Sequence, residues 1–308
     1  MRGRPGVPVL AGLAALVVVA LLPAGCSSAG DPPPRADHTS AEPVPTLSPL
    51  PPPPRKPATG RLYADLRQSS RDAALGRMEV WIANDTRHDV TPTRISYTDP
   101  RFRRPVAGER LRPDPARSER GYPLALPGRP ACGRHPGRPR VTVSYDGRTV
   151  TLPVTDDNDV VARHVADRCL ELAVERVADL RFADRVPVDH PGPDSTGTLT
   201  LVVRPTGASG HVLQIDTVGG TPLLAAADGR SWRPRVTVRG GHDVRRVALP
   251  VRPARCDDHV FMESGGATAF LVGLHLDGRA GQLLLRMDPD GARAAIGFAR
   301  ESCGLGGS

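Results

Sequence analysis

Two stretches of this chain repeat one another, and the repeat limits what the chain can fold into. Ala125-Leu126-Pro127-Gly128-Arg129-Pro130-Ala131-Cys132 runs alongside Ala248-Leu249-Pro250-Val251-Arg252-Pro253-Ala254-Arg255-Cys256 with one residue inserted. A strand-like run follows each, then Asp146-Gly147-Arg148 or Asp277-Gly278-Arg279, then a second strand-like run, then a short helical pattern carrying Cys169 or Cys303. Five features in one order point to two copies of a single plan. Each copy exceeds ~100 residues, enough to bury a core of its own.

The copies read as β-rich. Met78 to Ile82 alternates and ends at Asn84-Asp85, and Thr93 to Tyr97 is a second strand. Residues 100 to 121, crowded with Arg, Pro, Gly and Asp, read as a loop with room for an edge strand. Tyr122 to Leu126 follows. Arg140 to Tyr145 and Thr149 to Val154 flank Asp146-Gly147, a hairpin turn signal. The period then changes: Val161, Val165, Cys169 and Leu172 mark one face of a helix over 157–173, with Asp157 or Asn158 as its cap. The second copy supplies strands at Thr198–Val203, Val212–Ile215, Arg235–Val238, Val244–Leu249, Thr268–Leu276 and Gln282–Met287. A last helix opens at Asp288 or Asp290. The expectation is a mainly β chain: two similar immunoglobulin-like β-sandwich domains in tandem, 60–173 and 174–308, each ending in a short α-helix. The Cys-Trp-Cys spacing of true immunoglobulin domains is missing, so the expectation covers the layers and not that family.

The N-terminus is built for export. Arg2 and Arg4 precede an apolar run from Val7 to Leu22, which is shorter than the ~20 residues of a membrane-spanning helix and is stopped by Pro23. Leu21-Leu22-Pro23-Ala24-Gly25-Cys26 resembles the lipid-attachment box of bacterial secreted lipoproteins. That resemblance implies a signal peptide over 1–25, a diacylglycerol on Cys26 and a protein held on the extracytoplasmic face of the cell membrane. Simple secretion and an uncleaved anchor are the alternatives. Residues 26–59 form a Pro-rich tether, with Asp31-Pro32-Pro33-Pro34 and Pro51 to Pro54. At ~3 Å per residue in polyproline II, such a tether reaches up to roughly 90 Å.

Five cysteines are present. If Cys26 is acylated, the other four are free to pair in an oxidising compartment. The duplication selects Cys132–Cys169 and Cys256–Cys303, because each pair closes within one copy. Arginine carries nearly all the positive charge, Lys56 being the one lysine, and the chain's formal net charge is +8. With the abundance of Ala, Gly and Pro, this composition points to a GC-rich, actinobacterial genome.

No residue set converges on catalysis. Asp189-His190 with Ser195 has the side chains of a triad but lies in a Pro/Gly-rich loop. Cys256-Asp257-Asp258-His259, taken as extended, sends neighbouring side chains to opposite faces and cannot close on a metal. His164 falls on or near the buried face of the first helix. Gly207-Ala208-Ser209-Gly210 sits between strands and does not open a helix. No zinc spacing, P-loop or dinucleotide fingerprint occurs, so no cofactor is expected. The charge-bearing feature is a run of arginines. Arg101, Arg103, Arg104, Arg110 and Arg112 are the expected contact for an anionic ligand, and Arg129, Arg134, Arg138 and Arg140 extend the run around Cys132. Few aromatics are available to stack bases, which speaks against nucleic acid. The partners expected are the membrane through the lipid, and an anionic wall polymer or an envelope protein. The expected function is non-catalytic binding or scaffolding. The rival is an envelope enzyme on wall glycan or lipid, using Asp189, His190 or His259.

Overall fold

The computed structural model describes residues 58–229, 231–262 and 266–305. The export signal, Cys26 and nearly all of the Pro-rich stretch lie outside the described residues.

The first copy has β1 (Arg61–Arg67), α1 (Ser70–Ala74), β2 (Arg77–Asp85), β3 (Pro92–Thr98), β4 (Val106–Ala107), β5 (Ser118–Ala125), β6 (Arg140–Tyr145), β7 (Arg148–Thr155) and α2 (Val160–Glu175). Its strands are ordered β4-β3-β6-β7-β1-β2-β5. All pairings are antiparallel except β1 with β7, which run parallel through Ala64↔Val154 and Asp65↔Thr155. A bridge between Gly108 and Leu124 brings the two ends of this order together. Two layers, β4-β3-β6-β7 and β1-β2-β5, therefore face each other as a sandwich. Alternation explains the core: Met78, Val80 and Ile82 of β2 are fully buried, as are Val141 and Val143 of β6, while their neighbours face out.

The second copy has β8 (Ala178–Phe182), β9 (Gly197–Pro205), β10 (Leu213–Gly219), β11 (Leu224–Ala226), β12 (Ser231–Trp232), β13 (Val236–Val238), β14 (Arg245–Pro253), α3 (Asp258–Met262), β15 (Ala269–Leu276), β16 (Arg279–Arg286) and α4 (Pro289–Ser302). One sheet runs β11-β14-β9-β8. The other runs β12-β10-β15-β16, with β13 also on β10. Strand for strand, β8-β9-β14 answers β1-β2-β5, and β10-β15-β16 answers β3-β6-β7. The helix after each final strand and the disulfide on it also correspond. The fold is mainly β, two immunoglobulin-like sandwiches in tandem.

Each sandwich has its own core. Tyr97, Tyr122 and Ile82 centre the first, and Phe182, Phe270 and Trp232 the second, with Phe182 and Phe270 rings 4.6 Å apart. Helix α2 belongs to both: Val160, Val161 and Val165 pack into the first core, Leu170 and Val174 into the second.

Some expectations need correction. The 100–121 segment, expected as loop with room for an edge strand, holds the edge strand β4 and also the start of β5. The carboxylate that caps α2 is that of Asp156, which accepts from Val160 N at 2.8 Å, rather than Asp157 or Asn158. Cys256-Asp257-Asp258-His259 is not extended; it enters α3, where Asp257 accepts from Val260 N and pairs with Arg255. Strands β1 and β8 and helix α1 have no counterpart in the sequence reading. Where the chain enters β1, Thr59 donates through N and Oγ1 to the Asp85 carboxylate at 2.9 and 2.6 Å, and Arg117 grips the other oxygen at 2.6 Å. These bonds, chiefly that of the Thr59 hydroxyl, hold the Asp85 carboxyl below the usual range.

Candidate functional site

The arginine run does not act as one patch. Arg101 is only slightly exposed and forks onto Asp99, which is fully buried: N and Nε donate to Oδ1 at 2.8 and 2.9 Å, and a terminal nitrogen donates to Oδ2 at 2.8 Å. Tyr97 donates to the same carboxylate at 3.1 Å. Burial works to raise the Asp99 pKa, but the hydrogen bonds and charge of Arg101 outweigh it and leave the carboxyl below its ordinary value. Arg101 is thus a structural cation, and the expectation that it contacts a ligand is corrected. Arg110 and Arg112 are exposed but line none of the depressions described below. The Arg112 carbonyl accepts from the Tyr122 hydroxyl at 2.9 Å, tying that loop to the core.

Arg103 and Arg104 go elsewhere. They line a depression of about 910 Å³ together with Arg129, Arg134 and Arg176, and the two half-cystines Cys132 and Cys169 lie in its wall. Three chain segments supply these side chains, and each is fastened. Phe102, buried beside Arg103, sets its ring against Tyr97 and His164. Residues 127–132 are held at four points. His164 Nε2 lies 3.0 Å from the Pro127 carbonyl, and Arg168 Nε donates to the Gly128 carbonyl at 2.6 Å. Ala131 N donates to the Arg101 carbonyl at 2.8 Å, and Cys132 is bonded to Cys169 of α2. Arg176 directly follows α2, seven positions after Cys169, and so falls on the same helical face.

Glu175 is the one carboxylate in the lining, and it is engaged by Arg168 at 3.1 Å. Among the described residues, none of the five lining arginines makes an ion pair, whereas Arg67, Arg77, Arg101, Arg168 and Arg255 all do. Five guanidinium groups against one carboxylate give the depression a formal excess of four positive charges. Sequence reading had named Arg103, Arg104, Arg129 and Arg134. It missed Arg176, whose helical spacing from Cys169 was the available signal.

The second copy has a depression in the corresponding place. It is smaller, about 370 Å³, and is lined by Asp194, Ser195, Arg252, Pro253, Cys256 and Ser302. The Cys256–Cys303 bond is formed. One aspartate balances one arginine there.

The acid–base candidates do not assemble. Asp189 and His190 are exposed, 3.7 Å apart, and Asp189 turns its carboxylate to the backbone N–H of Thr196 and His190. Ser195 is buried, its carbonyl accepting from Ser302 Oγ at 2.8 Å. His259 is exposed on α3. Among the described residues, no three His, Cys, Asp or Glu side chains are placed to hold a metal ion.

No protein-family model matches the chain, and no curated protein does. Solved structures are similar only in outline. A red sea bream transglutaminase aligns over 74% of this chain and 31% of its own, at 11% identity and a TM-score of 0.21. The CsuC–CsuE chaperone–tip adhesion subunit complex of Acinetobacter baumannii pili aligns over 69% and 92%, at 9% identity and 0.20. A putative membrane-anchored protein of Corynebacterium diphtheriae aligns over 73% and 56%, at 8% identity and 0.22. Likeness at this level carries no information about ligand or activity.

Proposed function

We propose that this chain is a lipid-anchored protein on the extracytoplasmic face of a bacterial cell membrane. It works there as a non-catalytic binding or scaffolding protein for an anionic component of the envelope. The lipoprotein-like box at Cys26 and the tether supply the location. Among the described residues no helix is long and apolar enough to cross a membrane, which is compatible with a lipid anchor or with secretion.

The observation that carries the binding role is the gathering of Arg103, Arg104, Arg129, Arg134 and Arg176 around one depression, with none of them in an ion pair among the described residues. Neighbouring guanidinium groups repel one another, and an anion that joins them replaces that repulsion with attraction. The fastenings of residues 127–132 and α2 hold the backbone that carries Arg129, Arg134 and Arg176 before any ligand arrives, which lowers the entropic cost of binding.

The test is retention of purified mature protein on isolated cell wall at low and high salt. Retention should fall with salt and should be lost when these five arginines are changed to Ser. Retention indifferent to both would remove the proposal.

A further inference from the structure

We infer that the depression of the first copy is a site for clustered phosphate-ester groups, and that the matching depression of the second copy does not bind anions. This rests on the reading of the chain as a binder of an anionic envelope component, and it names the chemistry of that component.

The geometry of approach separates phosphate from carboxylate. The five arginines come from three segments, 103–104, 129–134 and 176, so the depression is bordered by cationic residues carried on three separate stretches of backbone. A carboxylate is planar, and its two oxygens are largely satisfied by guanidinium forks lying in that plane. A phosphate ester is tetrahedral and takes guanidinium donors from out-of-plane directions as well. A formal excess of four charges within about 910 Å³ also calls for several anionic groups close together rather than one.

The duplication supplies an internal comparison. Both depressions lie beside the disulfide that fastens the post-β5 or post-β14 segment to the helix region that follows. The scaffold is shared, but only the first copy places arginines around it. Where the first has Arg129, Arg134 and Arg176, the second has a single Arg252 balanced by Asp194. The charge is therefore not a property of the fold or of an arginine-rich composition, since the second copy has the same composition bias.

The disulfide assembles the site. Arg129 and Arg134 flank Cys132, and Arg176 shares the helical face of Cys169, so the bond brings the two groups of cations together.

The test uses the mature chain from Cys26, with Cys26→Ser to keep it soluble, and three probes: sodium polyphosphate, poly-glutamate, and vesicles of phosphatidylglycerol against vesicles of phosphatidylcholine. Polyphosphate should bind at least tenfold more tightly than poly-glutamate of equal charge, with an affinity that falls steeply with salt. Binding to phosphatidylglycerol vesicles as well would place the phosphate ester on a lipid headgroup; binding to polyphosphate alone would place it on a polymer. Changing Arg129, Arg134 and Arg176 to Ser should weaken polyphosphate at least a hundredfold. The Lys versions, which keep charge and lose the fork, should weaken it about tenfold. Arg252→Ser, or Arg110→Ser with Arg112→Ser, should leave it unchanged. Cys132→Ser with Cys169→Ser should weaken binding, whereas Cys256→Ser with Cys303→Ser should not. Equal affinity for poly-glutamate, with wall retention still lost in the arginine variants, overturns the phosphate assignment alone. Binding that survives the arginine changes but falls with Arg252→Ser overturns the placement in the first copy.

Discussion

Arg101 closes a fork on the carboxylate of Asp99 inside the first sandwich, with three donor contacts of 2.8 to 2.9 Å. Breaking a buried pair from one side leaves an uncompensated charge, which costs about 3–5 kcal/mol. Arg101→Ala should lower the unfolding free energy by that amount, read as a fall in the denaturant midpoint. The Asp99 pKa is depressed, so the pair's contribution is present above the unfolded value near 4 and is lost as pH falls through the lower folded value. The difference in stability between wild type and Arg101→Ala should therefore shrink below about pH 4.

Asp114 gives the opposite sign. It is fully buried, one oxygen accepts from Ser118 Oγ at 2.8 Å, and the other has no hydrogen-bond partner. Burial raises its pKa, and the Ser118 bond and the nearby Arg120 offset this only in part, while Glu119 and Asp89 add to it. A carboxyl raised in the folded state stabilises fully below its unfolded pKa, and that contribution is lost as pH rises through the folded value. Asp114→Asn should melt higher than wild type at pH 7, and the gap should close as pH drops below about 4. An Asn variant that melts lower at pH 7 would contradict this.

The two disulfides bridge residues 37 and 47 positions apart. On the chain-entropy model each contributes about 4 kcal/mol. Replacing either pair by Ser should lower stability by that order, and non-reducing peptide mapping should recover Cys132–Cys169 and Cys256–Cys303 peptides only.

Trp81 of β2 lies across Gly121 of β5, its register partner, with the Arg67 guanidinium 4.1 Å above the ring. A Cβ on residue 121 would sit 2.8 Å from the indole and 2.9 Å from Glu79 Oε2. Gly121→Ala should displace the indole, change tryptophan emission and cost about 1–3 kcal/mol. Gly128→Ala, with open space at its Cβ, should do neither.

The lipid anchor is tested on cells. Wild type should partition into the detergent phase, and Cys26→Ala should be released to the aqueous phase. Equal retention of the variant would favour an uncleaved anchor instead.

What could be read in advance follows the range of the interactions. The β6–β7 hairpin was legible because Asp146-Gly147 and the alternation on either side are local. The pairing of cysteines was legible because the duplication makes it a property of each copy. Strand β1 was not, since its inward positions include the small Ala64 and no turn signal of the Asn-Gly or Asp-Gly kind joins it to β2, α1 lying between them. Arg101 was misread because nothing local reveals that Asp99 is buried, only that it stands two residues away. Arg176 was missed because it joins Arg129 and Arg134 only through a covalent bond between distant segments.

The clasp of Thr59 on Asp85 has a mechanical meaning. On the proposed lipid anchor, the chain that precedes it would be the link to the membrane, and drag on a bound partner would return through this point. Behind the clasp, β1 is paired with β2 along its whole length, Arg61↔Asp85 to Arg67↔Glu79. Cross-strand bonds lie perpendicular to the strands. A pull directed along β1 therefore shears seven residue pairs at once instead of peeling them one by one. The N-terminal end of the fold is arranged to bear load.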